Sequence, residues 1–319
     1  MIKILANDGI HDKGRKILQD AGFEVDTNHI SQDDLSKSLN NYDVLLVRSA
    51  TKVRESLIDK CPNLKMIIRG GVGLDNIDVE YAKKKGVLVF NTPSASTQSV
   101  AELVFAHLFS LARSLYESNA IMPEQGDSLF KALKKSSGSK GFELQGKTMG
   151  IYGAGRIGRE TAKKAIALGM NVVFYNINPI EGTIEMNFDK RLKMNSLNFS
   201  FSTVTLNEFF QQADIISLHI PAADQPVIGA KEISKMKDGV ILINCARGGI
   251  VNEKDLCIAL KSGKVAYAGI DVFDKEPPED MSILQCKNVS LSPHIGGSTK
   301  EAQARIGLEI AERIISHFS

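Results

Sequence analysis

The chain has 319 residues, more than one hydrophobic core usually serves, so we expect two domains. Its formal net charge is +2 with acids and bases interspersed, which disfavours a nucleic-acid partner. No apolar run could span a bilayer, the N-terminus has no signal-peptide layout, and the cysteines lack metal-ligand spacing. We therefore expect a cytoplasmic protein with reduced thiols, no metal and no membrane partner.

Strand and helix patterns alternate along the first hundred residues, which is typical of a parallel α/β unit. Strands are predicted at residues 2–6, 23–26, 44–47, 66–69 and 87–90. Helices are predicted between them, at residues 12–21, 33–39, 54–60 and 79–85. A helix over residues 99–114 is apolar nearly all round and is expected to lie buried between domains. Residues 115–145 read as an arm or loop.

A glycine fingerprint opens the second half of the chain. Gly153, Gly155 and Gly158 follow an apolar strand pattern at residues 149–152 and precede a helical pattern that runs to residue 168. In this context the first glycine allows the turn, the second admits a pyrophosphate, and the third lets the helix pack on the strand. The helix N-terminus offers N–H groups to the phosphates. The pattern predicts a dinucleotide site.

The remaining elements complete a second parallel sheet. Strands are predicted at residues 171–175, 214–219, 240–244, 266–271 and 288–291, and an amphipathic helix at residues 300–318. Residues 181–205 cannot be assigned to strand or loop. The alternation predicts an α/β protein with two doubly wound parallel-sheet domains.

Polar residues stand at successive strand ends of the second sheet. Asp271 ends a predicted strand, and Arg247, Glu276 and His294 follow predicted strands. Ligands of open α/β sheets bind at this edge. Reduction of a 2-keto acid needs a proton donor, for which histidine is suited, and a cation that holds the carboxylate, for which arginine is suited. A carboxylate beside the histidine would stabilise the imidazolium.

The motifs resemble those of the D-isomer-specific 2-hydroxyacid dehydrogenases along nearly the whole chain. The resemblance rests on residues 153–158, 217–221, 243–249, 269–273, 276–277 and 293–299. It implies that Arg247, Glu276 and His294 are catalytic, with His294 as acid/base and Glu276 as its partner. It also implies a flavodoxin-like substrate (lid) domain of residues 1–98 and 287–319, a Rossmann-type cofactor domain of residues 99–286, a cleft between them, and a homodimer formed through the cofactor domains.

The resemblance also implies which residues bind the ligands. The expected cofactor-binding set is Val72, Gly153, Gly155, Arg156, Ile157, Gly158, Asn176, His219, Ile220, Pro221, Cys245, Ala246, Arg247, Asp271, His294 and Gly296. The expected substrate-binding set is Arg48, Ser49, Arg69, Gly71, Val72, Gly73, Arg247 and His294. Backbone amides of the glycine loop would bind a carboxylate, and Arg48, with Arg69, would hold a phosphate. Solvated or ion-paired arginines are the alternative.

Residues 91–94 and 293–304 most resemble family members that act on 3-phospho-D-glycerate. This implies interconversion with 3-phosphohydroxypyruvate, which opens serine biosynthesis. A glyoxylate or hydroxypyruvate reductase and a D-lactate dehydrogenase stay as alternatives. A further alternative is an NAD(H)-sensing corepressor of the same fold, which the lack of long disordered flanks disfavours. The chain ends at Ser319, so we expect no serine feedback through a C-terminal module.

One departure from the family concerns the cofactor. Asn176 stands where the family usually has an aspartate that binds the adenosine ribose. Asparagine does not repel a 2′-phosphate, so NAD is expected with NADP tolerated. We expect His219 to be structural or to line the cofactor site, and His107 to be a hydrogen-bonded core or interface residue.

Overall fold

The computed structural model describes residues 1–122, 130–131, 134–135, 141–189, 191–192 and 195–318. Much of the predicted arm at 115–145 lies outside the described residues. The strands are β1 (Lys3–Ala6), β2 (Glu24–Asp26), β3 (Val44–Val47), β4 (Met66–Arg69), β5 (Leu88–Asn91), β6 (Thr148–Tyr152), β7 (Asn171–Tyr175), β8 (Glu181–Asn187), β9 (Ser196–Ser202), β10 (Ile215–Leu218), β11 (Val240–Asn244), β12 (Val265–Ile270) and β13 (Val289–Leu291).

The helices follow the same alternation. They are α1 (Asp12–Asp20), α2 (Leu35–Ser38), α3 (Glu55–Asp59), α4 (Val79–Lys84), α5 (Thr97–Ala112), α6 (Leu115–Ile121), α7 (Arg156–Ala167), α8 (Leu206–Gln212), α9 (Ala230–Lys235), α10 (Glu253–Ser262) and α11 (Lys300–Phe318). Among the described residues, 3₁₀ turns lie at Leu39–Asn41 and Ile283–Gln285. The chain divides into two compact units, unit 1 (Met1–Ser99 with Gly297–Ser319) and unit 2 (Val100–Gly296).

Unit 1 is built on a five-stranded parallel sheet in the order β2-β1-β3-β4-β5. Because side chains alternate along a strand, Leu5 enters the core on one face and Ile4 enters the core on the other. On the second face Ile310 of α11 packs against the strands. Helices α1 and α11 meet at backbone distance, since a Cβ on Gly14 would lie 2.3 Å from the carbonyl oxygen of Gly307.

Unit 2 is built on a six-stranded parallel sheet in the order β13-β12-β11-β10-β6-β7. A parallel bridge from Phe174 to Thr203 adds a rudimentary strand beside β7. Strand β6, the first strand of unit 2 along the chain, lies between β10 and β7. The strand order therefore reverses between β6 and β10. Doubly wound folds bind nucleotides at such a reversal, beyond the carboxyl ends of the strands. Two parallel α/β sheets confirm the predicted fold class.

Three segments differ from the sequence-based predictions. The unassigned residues 181–205 contain an antiparallel hairpin of β8 and β9. The arm predicted at 115–145 begins as helix α6. The chain returns to unit 1 at Gly297 rather than near residue 287, because β13 pairs with β12 and so belongs to unit 2.

Within the described ranges, no helix combines the length and apolar character needed to cross a membrane. The same residues contain no group of three or more His, Cys, Asp or Glu side chains placed to hold a metal ion.

Candidate active site at the carboxyl edge of the unit 2 sheet

The three fingerprint glycines occupy three different environments. A Cβ on Gly153, which has φ +104, would lie 2.5 Å from the carbonyl oxygen of His219, which directly follows the neighbouring strand β10. A Cβ on Gly158 would lie 2.1 Å from the carbonyl oxygen of Gly153, so α7 packs on the turn at backbone distance. A Cβ on Gly155 would meet no described atom within 4 Å. Only Gly155 therefore faces open space.

This turn fits a dinucleotide. Gly155 is the N-cap of α7, and among the described residues no side chain caps the helix, so its first N–H groups are available to an anion. Asn176, at the end of β7, accepts the Ala154 N–H at 3.4 Å and donates to the Asn178 carbonyl at 2.9 Å. Ile177 beside it is 82% exposed, an apolar side chain next to the expected ribose position.

His294 and Glu276 form an acid–base pair at this edge of the sheet. The Nδ1 atom of His294 lies 2.7 Å from Oε2 of Glu276. Glu276 also accepts the Phe273 N–H through Oε1 at 3.2 Å. Because a carboxylate only accepts, the proton of the neutral imidazole resides on Nδ1 and Nε2 carries the lone pair. The pair can therefore exchange a proton through Nε2.

A buried carboxylate holds the backbone around His294. Asp271 is 1% exposed, and its oxygens accept the N–H groups of Ile295 at 2.8 Å and Gly296 at 2.9 Å. The N–H of His294 itself donates to the Asp271 carbonyl at 2.8 Å. His294 adopts φ +53, a region that costs free energy for a residue with a side chain. Asp271 thus positions His294 and compensates for its conformation.

His107 supports Asp271 from the core. Ser292 Oγ donates to Asp271 Oδ1 at 2.6 Å, so it must accept from His107 Nε2 at 3.0 Å. His107 Nδ1 then accepts from Ser290 Oγ at 2.8 Å. Burial lowers the pKa of His107, while Asp271 acts to raise it, and the neutral ring satisfies both contacts. His107 is a hydrogen-bonded core residue.

Arg247 lies in a turn that Asn244 organises. The Asn244 side chain accepts the Ala246 N–H at 3.1 Å and donates to the Arg247 carbonyl at 2.9 Å. A guanidinium N–H of Arg247 donates to the Ala246 carbonyl at 2.6 Å. Cys245 is buried below the turn, and burial first and Asp271 second raise the pKa of its thiol. Cys245 is therefore protonated at neutral pH and is a poor nucleophile.

The other predicted cofactor residues of unit 2 lie along the same edge, in the first turn of α7 or in the turns after β10 and β11: Arg156, Ile157, Ile220, Pro221 and Ala246. The Nε2 atom of His219 is buried without a hydrogen-bond partner in the described part of the chain. An unpartnered polar atom beside Gly153 is consistent with a site that a ligand completes.

Unit 1 carries two arginines at the carboxyl ends of β3 and β4. Arg48 is half-buried and donates to the Gln303 side chain, and it lines a cavity of about 300 Å³ with Asp8 and His11. Burial lowers the pKa of Arg48 and Asp8 opposes that shift. Asp8 also accepts the Arg48 backbone N–H at 2.6 Å. The cavity lies where the order of β1 and β3 reverses.

Arg69 organises the glycine loop that follows β4. Its side chain donates to the carbonyl oxygens of Gly73 and, at 3.3 Å, of Arg48. The Val72 carbonyl accepts from the Asn91 side chain, and Gly71 has φ +154. Ser49 is exposed after β3.

Sequence reasoning missed several supporting residues. Asp8, Asn244, Ser292 and Gln303 make contacts at the two edges, yet none was singled out. Asn244 ends β11 and Asp8 stands two residues after the end of β1, so the strand-end position that pointed to Arg48 and Arg247 could have pointed to them as well. Gln303 lies 255 residues from Arg48, and no local pattern could pair them.

The buried ring nitrogen of His219 predicts a pH dependence of stability. Burial lowers the pKa of His219 to about 3, whereas an unfolded histidine titrates near 6.5. Between these values the unfolded state binds the extra proton, so stability is complete above pH 6.5 and falls as pH decreases. At pH 5 this group lowers the free energy of unfolding by about 2 kcal/mol.

Urea unfolding at pH 5–8 tests this expectation. The free energy of unfolding of His219→Gln should change less with pH than that of wild type, whereas the exposed His317→Gln should behave like wild type. An equal pH dependence of the free energy of unfolding in wild type and His219→Gln would contradict the lowered pKa of His219.

Comparisons with known proteins agree with this geometry. The family model described as "D-isomer specific 2-hydroxyacid dehydrogenase, NAD binding domain" matches residues 105–296. Hydroxypyruvate reductase of Thermotoga maritima is 41% identical over 318 residues, which cover 98% of this chain and 97% of the relative. D-3-phosphoglycerate dehydrogenase of Methanocaldococcus jannaschii is 40% identical over 317 residues, which cover 98% of this chain but 57% of the relative. A glyoxylate reductase structure from Paecilomyes thermophila superposes with TM-score 0.80 at 28% identity, over 99% and 94% of the two chains.

A glycine turn at the strand reversal and a histidine–carboxylate pair at the same sheet edge define an oxidoreductase that uses a nicotinamide cofactor. The chain belongs to the D-isomer-specific 2-hydroxyacid dehydrogenase family. It spans little more than half the length of the phosphoglycerate dehydrogenases that it matches, such as 57% of the archaeal one.

Proposed function

We propose that the protein interconverts 3-phospho-D-glycerate and 3-phosphohydroxypyruvate with NAD, the first step of serine biosynthesis. The observation that carries the chemistry is the 2.7 Å contact between His294 and Glu276. The phosphorylated substrate is supported by the half-buried cation Arg48 at the strand reversal of unit 1. It is also supported by phosphoglycerate dehydrogenases that are 37–40% identical in the part they share, such as the 40% identical archaeal enzyme.

In this proposal each residue has one task. The nicotinamide cofactor supplies the hydride when it is bound, and Gly155 with the N-terminus of α7 holds its pyrophosphate. In reduction the imidazolium form of His294 donates its Nε2 proton to the substrate carbonyl oxygen, which becomes the hydroxyl, and in oxidation the neutral ring accepts that proton at Nε2. Glu276 orients the ring and stabilises the imidazolium, which is the form that donates in reduction and the form produced in oxidation. Arg247 binds the substrate carboxylate and polarises the carbonyl.

A second candidate function is reduction of unphosphorylated hydroxypyruvate or glyoxylate. It is favoured by the Thermotoga relative, because that similarity covers 97% of the relative rather than about half of it. The same catalytic residues serve both reactions, so only the groups that face the far end of the substrate distinguish them.

Absorbance of the reduced cofactor tests the proposal. Purified protein is mixed with NADH and, separately, 3-phosphohydroxypyruvate, hydroxypyruvate and glyoxylate, with NADPH in parallel. Oxidation confined to the phosphorylated acid supports the proposal. Equal or faster turnover of the unphosphorylated acids assigns the protein to the reductase branch. Binding of cofactor with no turnover of any acid would favour a redox-sensing role.

Arg48→Gln should separate the two candidate functions. Loss of a charge-assisted contact to phosphate raises KM for 3-phosphohydroxypyruvate by about 10–100-fold, because such a contact contributes roughly 1.5–3 kcal/mol. KM for hydroxypyruvate should stay within a factor of about two, since that acid has no phosphate. The matched control is Arg54→Gln, because Arg54 pairs with Asp78 on the surface of the same unit at 2.8 Å. Equal KM changes for both acids would show that Arg48 does not recognise phosphate.

Asn176→Asp should increase the preference for NAD over NADP. The amide of Asn176 does not repel a 2′-phosphate, whereas a carboxylate would. We expect kcat/KM for NADPH to fall about tenfold or more while the value for NADH changes little; tenfold corresponds to about 1.4 kcal/mol. The measurement is the ratio of the two kcat/KM values. An unchanged ratio would mean that Asn176 does not face the ribose.

We also propose that the protein forms a homodimer through its cofactor units. Large apolar side chains are exposed on and after α5, namely Phe109 (43%), Leu115 (49%) and Met122 (50%). A symmetric dimer would cover them. Light scattering should give twice the chain mass, and Leu115→Glu should shift the protein towards monomer. A concentration-independent monomer would contradict the dimer.

A further inference from the structure

Two thiols of unit 2 lie within contact distance of each other. The Sγ atom of Cys286, at the end of the 3₁₀ turn Ile283–Gln285, is 2.9 Å from the Sγ atom of Cys257 on α10. Both cysteines are reduced in the structure. The hydroxyl of Ser282 lies 3.9 Å from the Cys257 sulfur. A disulfide bond is about 2.05 Å long, so the sulfurs need to approach by only about 0.9 Å.

The two thiols differ in exposure. Cys257 is 5% exposed, whereas Cys286 is partly exposed after the turn. Cys286 is therefore the more accessible of the two residues to a small oxidant, and the Cys257 sulfur lies within contact distance of its sulfur. The other two cysteines, Cys61 and Cys245, are both buried, and Cys61 belongs to the other unit. Their burial makes them suitable internal controls.

We propose that Cys257 and Cys286 are a redox modification site that hydrogen peroxide converts into an intramolecular disulfide. The sulfur of Cys286 attacks one peroxide oxygen, the O–O bond breaks, and a sulfenic acid and one water form. The sulfur of Cys257 then attacks the Cys286 sulfur, the S–O bond breaks, and a second water leaves. Two thiols and one peroxide thus give one disulfide and two waters. A dithiol reductant returns both thiols by disulfide exchange.

The bond would close a ring from residue 257 to residue 286, which includes Asp271 and Glu276. Such a ring restricts the unfolded chain and raises the melting temperature. Burial first, and the contact with Cys286 second, raise the pKa of the Cys257 thiol to about 11. Its thiolate is therefore scarce at neutral pH, and formation of the bond should accelerate as pH rises towards 9. The site does not depend on the proposed substrate.

Thiol titration and peptide mapping test this site. Wild-type protein is treated with excess hydrogen peroxide at pH 7 and pH 9, unfolded in an alkylating agent, and digested. We expect two of the four thiols to be lost, a Cys257–Cys286 linked peptide that dithiothreitol removes, faster formation at pH 9, and melting raised by several degrees.

The variants make the result specific. Cys61→Ser and Cys245→Ser should still form the linked peptide, whereas Cys257→Ser and Cys286→Ser should not. Because the decisive mapping is done on wild-type protein, a variant that folds poorly does not affect the conclusion. Retention of all four thiols, oxygen addition without a linked peptide, or a link between any other pair would each overturn the proposal.

Discussion

His294→Ala should lower kcat by about 10²–10⁴-fold, the range that general acid–base catalysis contributes. The variant removes the imidazole that contacts Glu276, while the turn around Gly155 is left unchanged. Stopped-flow or steady-state absorbance measures kcat, and fluorescence of bound NADH measures cofactor affinity. We expect the dissociation constant for NADH to change by less than about threefold, since His294 contributes one contact among many.

Two further variants make the His294 result interpretable. Glu276→Gln keeps the shape of the side chain but removes the charge that stabilises the imidazolium, so kcat should fall by less than in His294→Ala. His317→Ala removes an exposed histidine of α11 and should leave kcat unchanged. Wild-type turnover by His294→Ala would remove His294 from the acid/base role.

The parallel sheets could be predicted because their signals are local. Strand β3 is apolar at each position and buried throughout, as expected for a strand covered on both faces. Helix α11 has the residue limits that its amphipathic period predicts. Ligands of open α/β sheets bind beyond the carboxyl ends of the strands, and this rule also pointed to His294 and Glu276. The two residues lie 18 residues apart in sequence and share a hydrogen bond.

The hairpin of β8 and β9 could not be predicted from its own residues. Many of its side chains are exposed on both faces, so the alternation that indicates a half-buried strand is weak. Its position depends on tertiary contacts, because Phe201 stacks on Phe174 at 4.1 Å and Arg159 lies 5.3 Å from the Phe201 ring. The hydrogen bonds of His107 also could not be predicted from local sequence, because Ser290 and Ser292 lie more than 180 residues further along the chain than His107.

Gly155→Val and Gly158→Ala should separate cofactor binding from folding. At Gly155 the backbone has φ −73 and ψ −169, an extended conformation that valine adopts readily, and a Cβ there meets no described atom within 4 Å. The melting temperature of Gly155→Val should therefore stay within about 2 °C of the wild-type value. The added methyl groups occupy the space that the pyrophosphate needs, so the dissociation constant for NADH should rise about tenfold or more, which corresponds to at least about 1.4 kcal/mol.

Gly158→Ala should instead destabilise the fold. Its Cβ would lie 2.1 Å from the carbonyl oxygen of Gly153 and 2.9 Å from Cγ2 of Ile151, and neither the turn nor β6 can yield without moving backbone. Overpacking of this kind costs about 1–3 kcal/mol, and melting should fall by roughly 2–4 °C for each kcal/mol. Cofactor affinity falls with it, because α7 no longer sits against the turn. Circular-dichroism melting and NADH fluorescence on both variants give the comparison. Equal melting losses would mean that Gly155 is packed like Gly158, and unchanged NADH affinity in Gly155→Val would move the pyrophosphate away from this turn.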